Sequence, residues 1–184
     1  MQDNSETRRA AVTVTPATAA EQPLIEGLMQ FYIYDFSEME PPGSTDFEVD
    51  DQGRFALYPD LEDYWRLEGF VPLLIRVGAH VAGFALINTH SHRGGEVERN
   101  MGEFFIARKH RRAGAATRAV AQILNDYPGR WEIAVVQRNT TAKAFWPRAI
   151  TSAPNVAELT RVEGDGEHWR GPIWCFAAGT MRTD

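Results

Sequence analysis

The residues best placed to do chemistry form one run, Arg108-Lys109-His110-Arg111-Arg112-Ala113-Gly114-Ala115-Ala116-Thr117. An apolar strand, Phe104-Phe105-Ile106-Ala107, leads into it, and a segment of helical composition leads out. That order suits anion binding. The first N–H groups of a helix lack internal partners, and the helix dipole puts partial positive charge on them. Gly114, flanked by Ala113, Ala115 and Ala116, lets a ligand approach the main chain closely. Arg108, Lys109, Arg111 and Arg112 add charge, and no acidic residue intervenes between Ala107 and Asp126. The dipole alone contributes only about 0.3–1 kcal/mol when exposed; several amides with an arginine are enough to hold a pyrophosphate. The same composition also suits a helix start with a solvated basic face. Neither G-x-x-x-x-G-K-[ST] nor G-x-G-x-x-G occurs.

The elements that must position this loop follow from periodicity. Val12–Thr15 reads as a first strand. Leu24, Ile25, Leu28, Met29, Phe31, Tyr32 and Phe36 keep helical spacing and predict a helix over 20–37, stopped by Pro41-Pro42-Gly43. Residues 38–60 form a long irregular segment, with a short helix expected over 60–68. Arg54 is the only base between Asp35 and Asp63, so this acidic stretch is either a solvated face or a cation-attracting rim over a cleft. Val71–Val77 and Val81–Asn88 flank Gly78-Ala79-His80 as a hairpin. After a polar loop over 89–99 come a strand over 102–107, a helix over 113–126, a strand over 131–136 and a short helix over 140–146 that Pro147 closes or kinks. Strands over 156–162 and 172–177 finish the chain. The order implies one α/β (α+β) domain over 11–184, a mixed and mostly antiparallel twisted sheet of six or seven strands with helices on both faces, after a disordered tail over 1–10.

Composition narrows the function. The chain has 184 residues, 43% hydrophobic and 24% charged, with net charge −6. These values fit one folded domain and disfavour a broad nucleic-acid surface. Apolar runs such as Val81–Ile87 fall short of the ~18–20 residues of a membrane span, so no membrane partner is expected. Arg8-Arg9 is followed by a threonine-broken stretch rather than a signal-peptide core. The only cysteine, Cys175, fits a reducing cytoplasm. His90-Ser91-His92 lacks a clear third metal ligand and reads as a mobile loop. His80 and His110 have no identified triad partner, and no metal is expected.

Arg111-x-x-Gly114-x-Ala116, five residues after Ile106, resembles the acyl-CoA pyrophosphate motif of the GNAT N-acetyltransferase family. Downstream, Asn139, Ala142 and the aromatic pair Phe145-Trp146 are similar to the family's second signature. The two motifs span 103–146. The resemblance implies acetyl-CoA as acyl donor and a small-molecule or peptidyl primary amine as acceptor, joined by direct attack. A non-catalytic acyl-CoA-binding module is the alternative, and a homodimer is left open. By position, the main chain of Phe105 and Ile106 would pair with the pantetheine arm, and amides from Arg111, Arg112, Ala113, Gly114, Ala115, Ala116 and Thr117 would cradle the pyrophosphate. A bulge would splay the central strands. Asn139 would contact the cofactor arm or cap a helix, and Ala142 would leave room for the arm. Phe145 and Trp146 also read as core.

Two departures bear on catalysis. Trp146 stands at the catalytic position where many members carry a proton-donating tyrosine, and an indole has no usable acidity. CoA then leaves unaided, or Tyr32 or Tyr34 protonates it. Ile150-Thr151 replaces the usual glycine–aromatic pair. An amine of pKa near 10.4 must lose a proton before it attacks. Glu103 is the first candidate base, although it lies three residues before Ile106, where strand alternation turns it away unless a bulge intervenes. A salt-bridged Glu103 is the other reading, and Glu98, Asp35 and Tyr34 are lesser candidates. Tyr32, Tyr34 and Asp35 either line the acceptor pocket or serve as core and surface of their helix.

Overall fold

A computed structural model describes residues 10–179. The expected tail over 1–10 therefore lies, but for Ala10, outside the described residues. Seven strands form one sheet: β1 (Val12–Pro16), β2 (Val71–Val77), β3 (His80–His90), β4 (Glu96–Ile106), β5 (Gly129–Ala134), β6 (Val156–Glu163) and β7 (Pro172–Ala178). The spatial order is β1-β2-β3-β4-β5-β7-β6. Every neighbouring pair is antiparallel except β4 and β5.

Three α-helices cover the sheet: α1 (Gln22–Ser37), α2 (Ala115–Asp126) and α3 (Thr140–Ser152). The stripe Ile25, Met29 and Ile33 seats α1 on Leu74, Phe84, Leu86 and Phe105. The opposite face carries α2 and α3, which bury Ala119, Val120, Ile123, Trp146 and Ile150 against Ile87, Trp131 and Ile133. Trp131 and Phe176 stack on that side with centroids 6.4 Å apart. Among the described residues no helix is long and apolar enough to cross a membrane.

Two elements are longer than their sequences suggest. The polar stretch over 89–99 is mostly hairpin arms, because β3 runs to His90 and β4 starts at Glu96. From Glu96 to Arg99 exposed and half-buried residues alternate, so polar side chains fit one face of a strand. Pro147 does not end α3, which continues to Ser152. An interior proline costs about 3 kcal/mol. Burying Trp146 and Ile150 returns roughly 1.5–3 kcal/mol each, so packing outweighs the broken ladder.

Candidate active site

β4 and β5 pair at only two positions, Arg99↔Trp131 and Asn100↔Glu132. Beyond them the strands part, and a cleft of about 410 Å³ opens between them. Its walls include Glu103, Phe104, Val135, Asn139, Ala142 and Trp146, with Tyr32 and Tyr58 on the α1 side. β4 carries a bulge: Met101 pairs with Ile87 and Glu103 with Leu86, so Gly102 is the extra residue. A Cβ on Gly102 would lie 2.7 Å from Asn88 Nδ2 and 2.9 Å from Tyr64 Oη. Only glycine lets those polar groups pass beneath the strand.

The bulge sits where the central strands part, as expected, but it does not turn Glu103 to the Ile106 side. It lies upstream of Glu103, so Glu103 and Ile106 still point to opposite faces. Glu103 shares the α1 face with Phe105, and the parted strands let the cleft reach it there. Its carboxylate accepts hydrogen bonds from Tyr32 Oη and, at 2.7 Å, from Tyr58 Oη. Burial raises the Glu103 pKa above the ordinary carboxylate value, and the two phenols partly oppose that rise. Burial and the Glu103 charge push both phenols up, so they stay protonated donors. Tyr58 comes from the segment over 38–60, which Gln30 pins to α1 through both its amide groups and the Phe55 main chain.

At the far end of β4 the chain passes through a short 3₁₀ turn, Arg108–His110, and enters α2. Arg112 (φ 66°) and Gly114 (φ 76°) adopt left-handed backbone conformations there. The Arg111 N–H donates to Arg108 O, so the cradle inferred from sequence loses its first amide. From Arg112 to Thr117 no main-chain N–H meets an acceptor among the described residues. The Arg111 side chain also turns away. Its Nε donates to Ile106 O at 2.6 Å, its guanidinium lies 5.6 Å from the Phe105 ring centroid, and it pairs with Asp35. Arg108 reaches the same carboxylate at 2.8 Å.

Asp35 is thereby spent on tying α1 to this loop and does not face the cleft. Tyr34 is exposed, outside the cleft lining. Tyr32 is the one acceptor-pocket candidate that the cleft contains. Glu98 accepts the Arg130 N–H at 2.7 Å, away from the cleft. Asn139 caps α3 by accepting the Ala142 N–H at 2.9 Å, and it lines the cleft as well. Trp146 is 6% exposed and packs edge-on against Phe104, with ring centroids 5.3 Å apart. His80 lies at a turn, and His110 is buried beneath the basic loop.

The segment His90-Ser91-His92 is not a free loop. Glu132, 5% exposed on β5, accepts from Ser91 Oγ at 3.0 Å and from the His92 N–H at 3.1 Å. This folds the hairpin tip over the sheet and sets His92 in the cleft wall, 4.4 Å from the Trp169 ring. Sequence reasoning missed Tyr58, Asn88, Asn100 and His92 as cleft residues. The only signal was Asn88, a polar residue at the end of the apolar run Val81–Ile87. Among the described residues no group of three or more His, Cys, Asp or Glu side chains could hold a metal ion.

Residues 32–150 match the acetyltransferase (GNAT) family. The chain belongs to that family, whose members move acyl groups from acyl-CoA to amines. No curated protein sequence matches it. Solved structures share the fold. An acetyltransferase from Thermus thermophilus is 15% identical with a TM-score of 0.61, over 91% of this chain and 97% of that one. The spermidine N-acetyltransferase from Vibrio cholerae, in complex with CoA and spermine, is 11% identical with a TM-score of 0.54, over 91% and 95%. The ribosomal-protein-S18-alanine N-acetyltransferase from Escherichia coli is 9% identical with a TM-score of 0.55, over 95% and 98%.

Proposed function

We propose that this protein transfers the acetyl group of acetyl-CoA to a primary amine of a small-molecule or peptidyl acceptor, in the cytoplasm. The observation that carries the reading is the cleft opened by β4 and β5, with a run of unpartnered amides beyond one end and a buried carboxylate within it. Asn100 to Ile106 spans about 20 Å of strand, and an extended pantetheine arm covers a comparable distance. A diphosphate on the amides of Arg112–Thr117 then leaves the thioester near Glu103. Gly114, Arg112 and the α2 dipole suit the diphosphate. The freed edge of β4, with Phe105 and Ile106, suits the amides of the arm. Ala142 leaves space, and Asn139 holds the start of α3 beside it.

Glu103 takes the ammonium proton, directly or through water, and its raised pKa brings it closer to the task. Tyr32 and Tyr58 hold the carboxylate in place. A β4 main-chain N–H facing the cleft stabilises the developing oxyanion. Trp146 serves as an apolar wall rather than as an acid, and the thiolate leaves without a dedicated donor. The acidic segment over 38–60 attracts cationic acceptors. Thiol release from acetyl-CoA, followed over a panel of amines, tests the reading. Acetyl transfer to an amine supports it. Binding of CoA with no release above background would leave a non-catalytic CoA-binding module.

A further inference from the structure

Where β4 leaves β5, two residues of the cleft wall each carry a buried polar atom with no partner among the described residues. One such atom is Asn100 Oδ1, on a residue only 1% exposed, and the other is His92 Nδ1. The orientation of Asn100 is fixed by a chain of bonds that starts on the backbone. The His90 N–H donates to Asn88 Oδ1 at 3.0 Å, which makes that oxygen the acceptor. Asn88 Nδ2 therefore points to Tyr64 Oη at 2.8 Å. Asn100 Nδ2 donates to Asn88 Oδ1 at 2.8 Å, so its own oxygen is left over. Gly102 keeps the passage for this string open, as its Cβ contacts demonstrate. On the other side, buried Glu132 fixes the His92 main chain and Trp169 backs the ring. Burial favours the neutral imidazole, and in the Nε2–H tautomer its Nδ1 is the acceptor. A buried acceptor without a donor costs free energy, and a built site of this kind has a donor as its natural occupant.

We propose that Asn100 and His92 seat the acceptor amine, with Asn100 Oδ1 and His92 Nδ1 each receiving one N–H of a primary amine. This deepens the acyl-transfer reading above and rests on it. A primary ammonium carries three N–H bonds. One proton goes to Glu103 before attack, which frees the lone pair for the thioester carbon. The remaining two are held by Asn100 and His92, which orients the nitrogen. The C–N bond forms, the C–S bond breaks, and the thiolate takes a proton from water. The nitrogen sheds its second proton to the imidazole of His92. Glu103 and His92 both return their protons to solvent and the thiolate takes one up, so one proton is released net. A secondary amine has one N–H too few and leaves one seat empty.

The test follows thiol release from acetyl-CoA with butylamine, phenethylamine and alanine amide, and with their N-methyl counterparts. It uses wild type, Asn100→Leu and His92→Phe. His92→Phe keeps a ring against Trp169 and lies in a turn, so it serves if Asn100→Leu fails to fold. Each variant should raise the KM for the primary amine about tenfold, since each loses one bond to a charged group, and should erase the preference over the N-methyl amine. His92→Phe should also lower kcat, and the KM for acetyl-CoA should not move in either variant. Unchanged amine KM and unchanged preference in both would overturn the proposal. A wild type that accepts none of these amines while calorimetry still shows acetyl-CoA binding would overturn the acyl-transfer reading and this proposal together. Loss of CoA binding itself would sink the acyl-transfer reading along with it.

Discussion

Where β4 ends, the candidate site is main chain: six consecutive amides from Arg112 to Thr117, two left-handed residues and an exposed basic surface. Where β4 leaves β5, it is side chain: Glu103, Tyr32, Tyr58, Asn100 and His92, brought from α1, the segment over 38–60, β4 and the β3–β4 hairpin. The first region needs a backbone conformation and small residues, so it asks for little side-chain chemistry. The second needs specific donors and acceptors in a desolvated place, so each atom matters. A common donor arm and a variable acceptor ask for that division of labour.

The largest expected effect breaks the main-chain end. Gly114→Glu puts a side chain at φ 76° and a carboxylate among the amides, and CoA affinity should fall at least about a hundredfold by calorimetry. The fold should survive, because a Cβ at Gly114 meets only Arg118 Nη1, at 3.4 Å. Retained affinity would remove the loop from the binding site. Next, Glu103→Gln should lower kcat at saturating acetyl-CoA by roughly a hundredfold while CoA affinity holds, since general-base contributions run at that scale or above. Turnover equal to wild type would take Glu103 out of the reaction.

A subtler change sharpens the side-chain end. The phenols of Tyr32 and Tyr58 favour the ionised carboxylate, so Tyr58→Phe should move the Glu103 pKa still higher. In the pH profile of kcat/KM the acid limb of wild type should lie above the ordinary carboxylate range, and that of Tyr58→Phe at higher pH again. A shift to lower pH would contradict the assigned hydrogen bond. The smallest effect belongs to the exposed ion pair. Arg108→Ala should barely move the thermal unfolding midpoint, because salt bridges at the surface are weak.

The main-chain end was legible in the sequence and the side-chain end was not, for a physical reason. The loop of unpartnered amides is local, so Arg111, Gly114 and Ala116 sit close together in the chain and their spacing carries the geometry. Even there the direction of the Arg111 side chain is not local, since its partners Asp35 and Phe105 come from other elements. The strands and helices followed from periodicity. Pro147 and the polar arms of the hairpin did not, because packing of Trp146 and Ile150 and the pairing of β3 with β4 overrode local preference. Glu103 was singled out from its strand position, yet the reason it reaches the cleft, the parting of β4 from β5, is a property of two strands. Tyr58 lies in an irregular segment where no period marks it, and only the Gln30–Phe55 anchor brings it to Glu103.

The most direct test compares CoA with pantetheine, which shares the arm and lacks the diphosphate. Calorimetry on the wild-type protein should give one CoA per chain, bound at least about a hundredfold more tightly than pantetheine, as the proposed seating of the phosphates on the amides of Arg112–Thr117 requires. Equal affinity for the two, or no binding of either, would contradict the account.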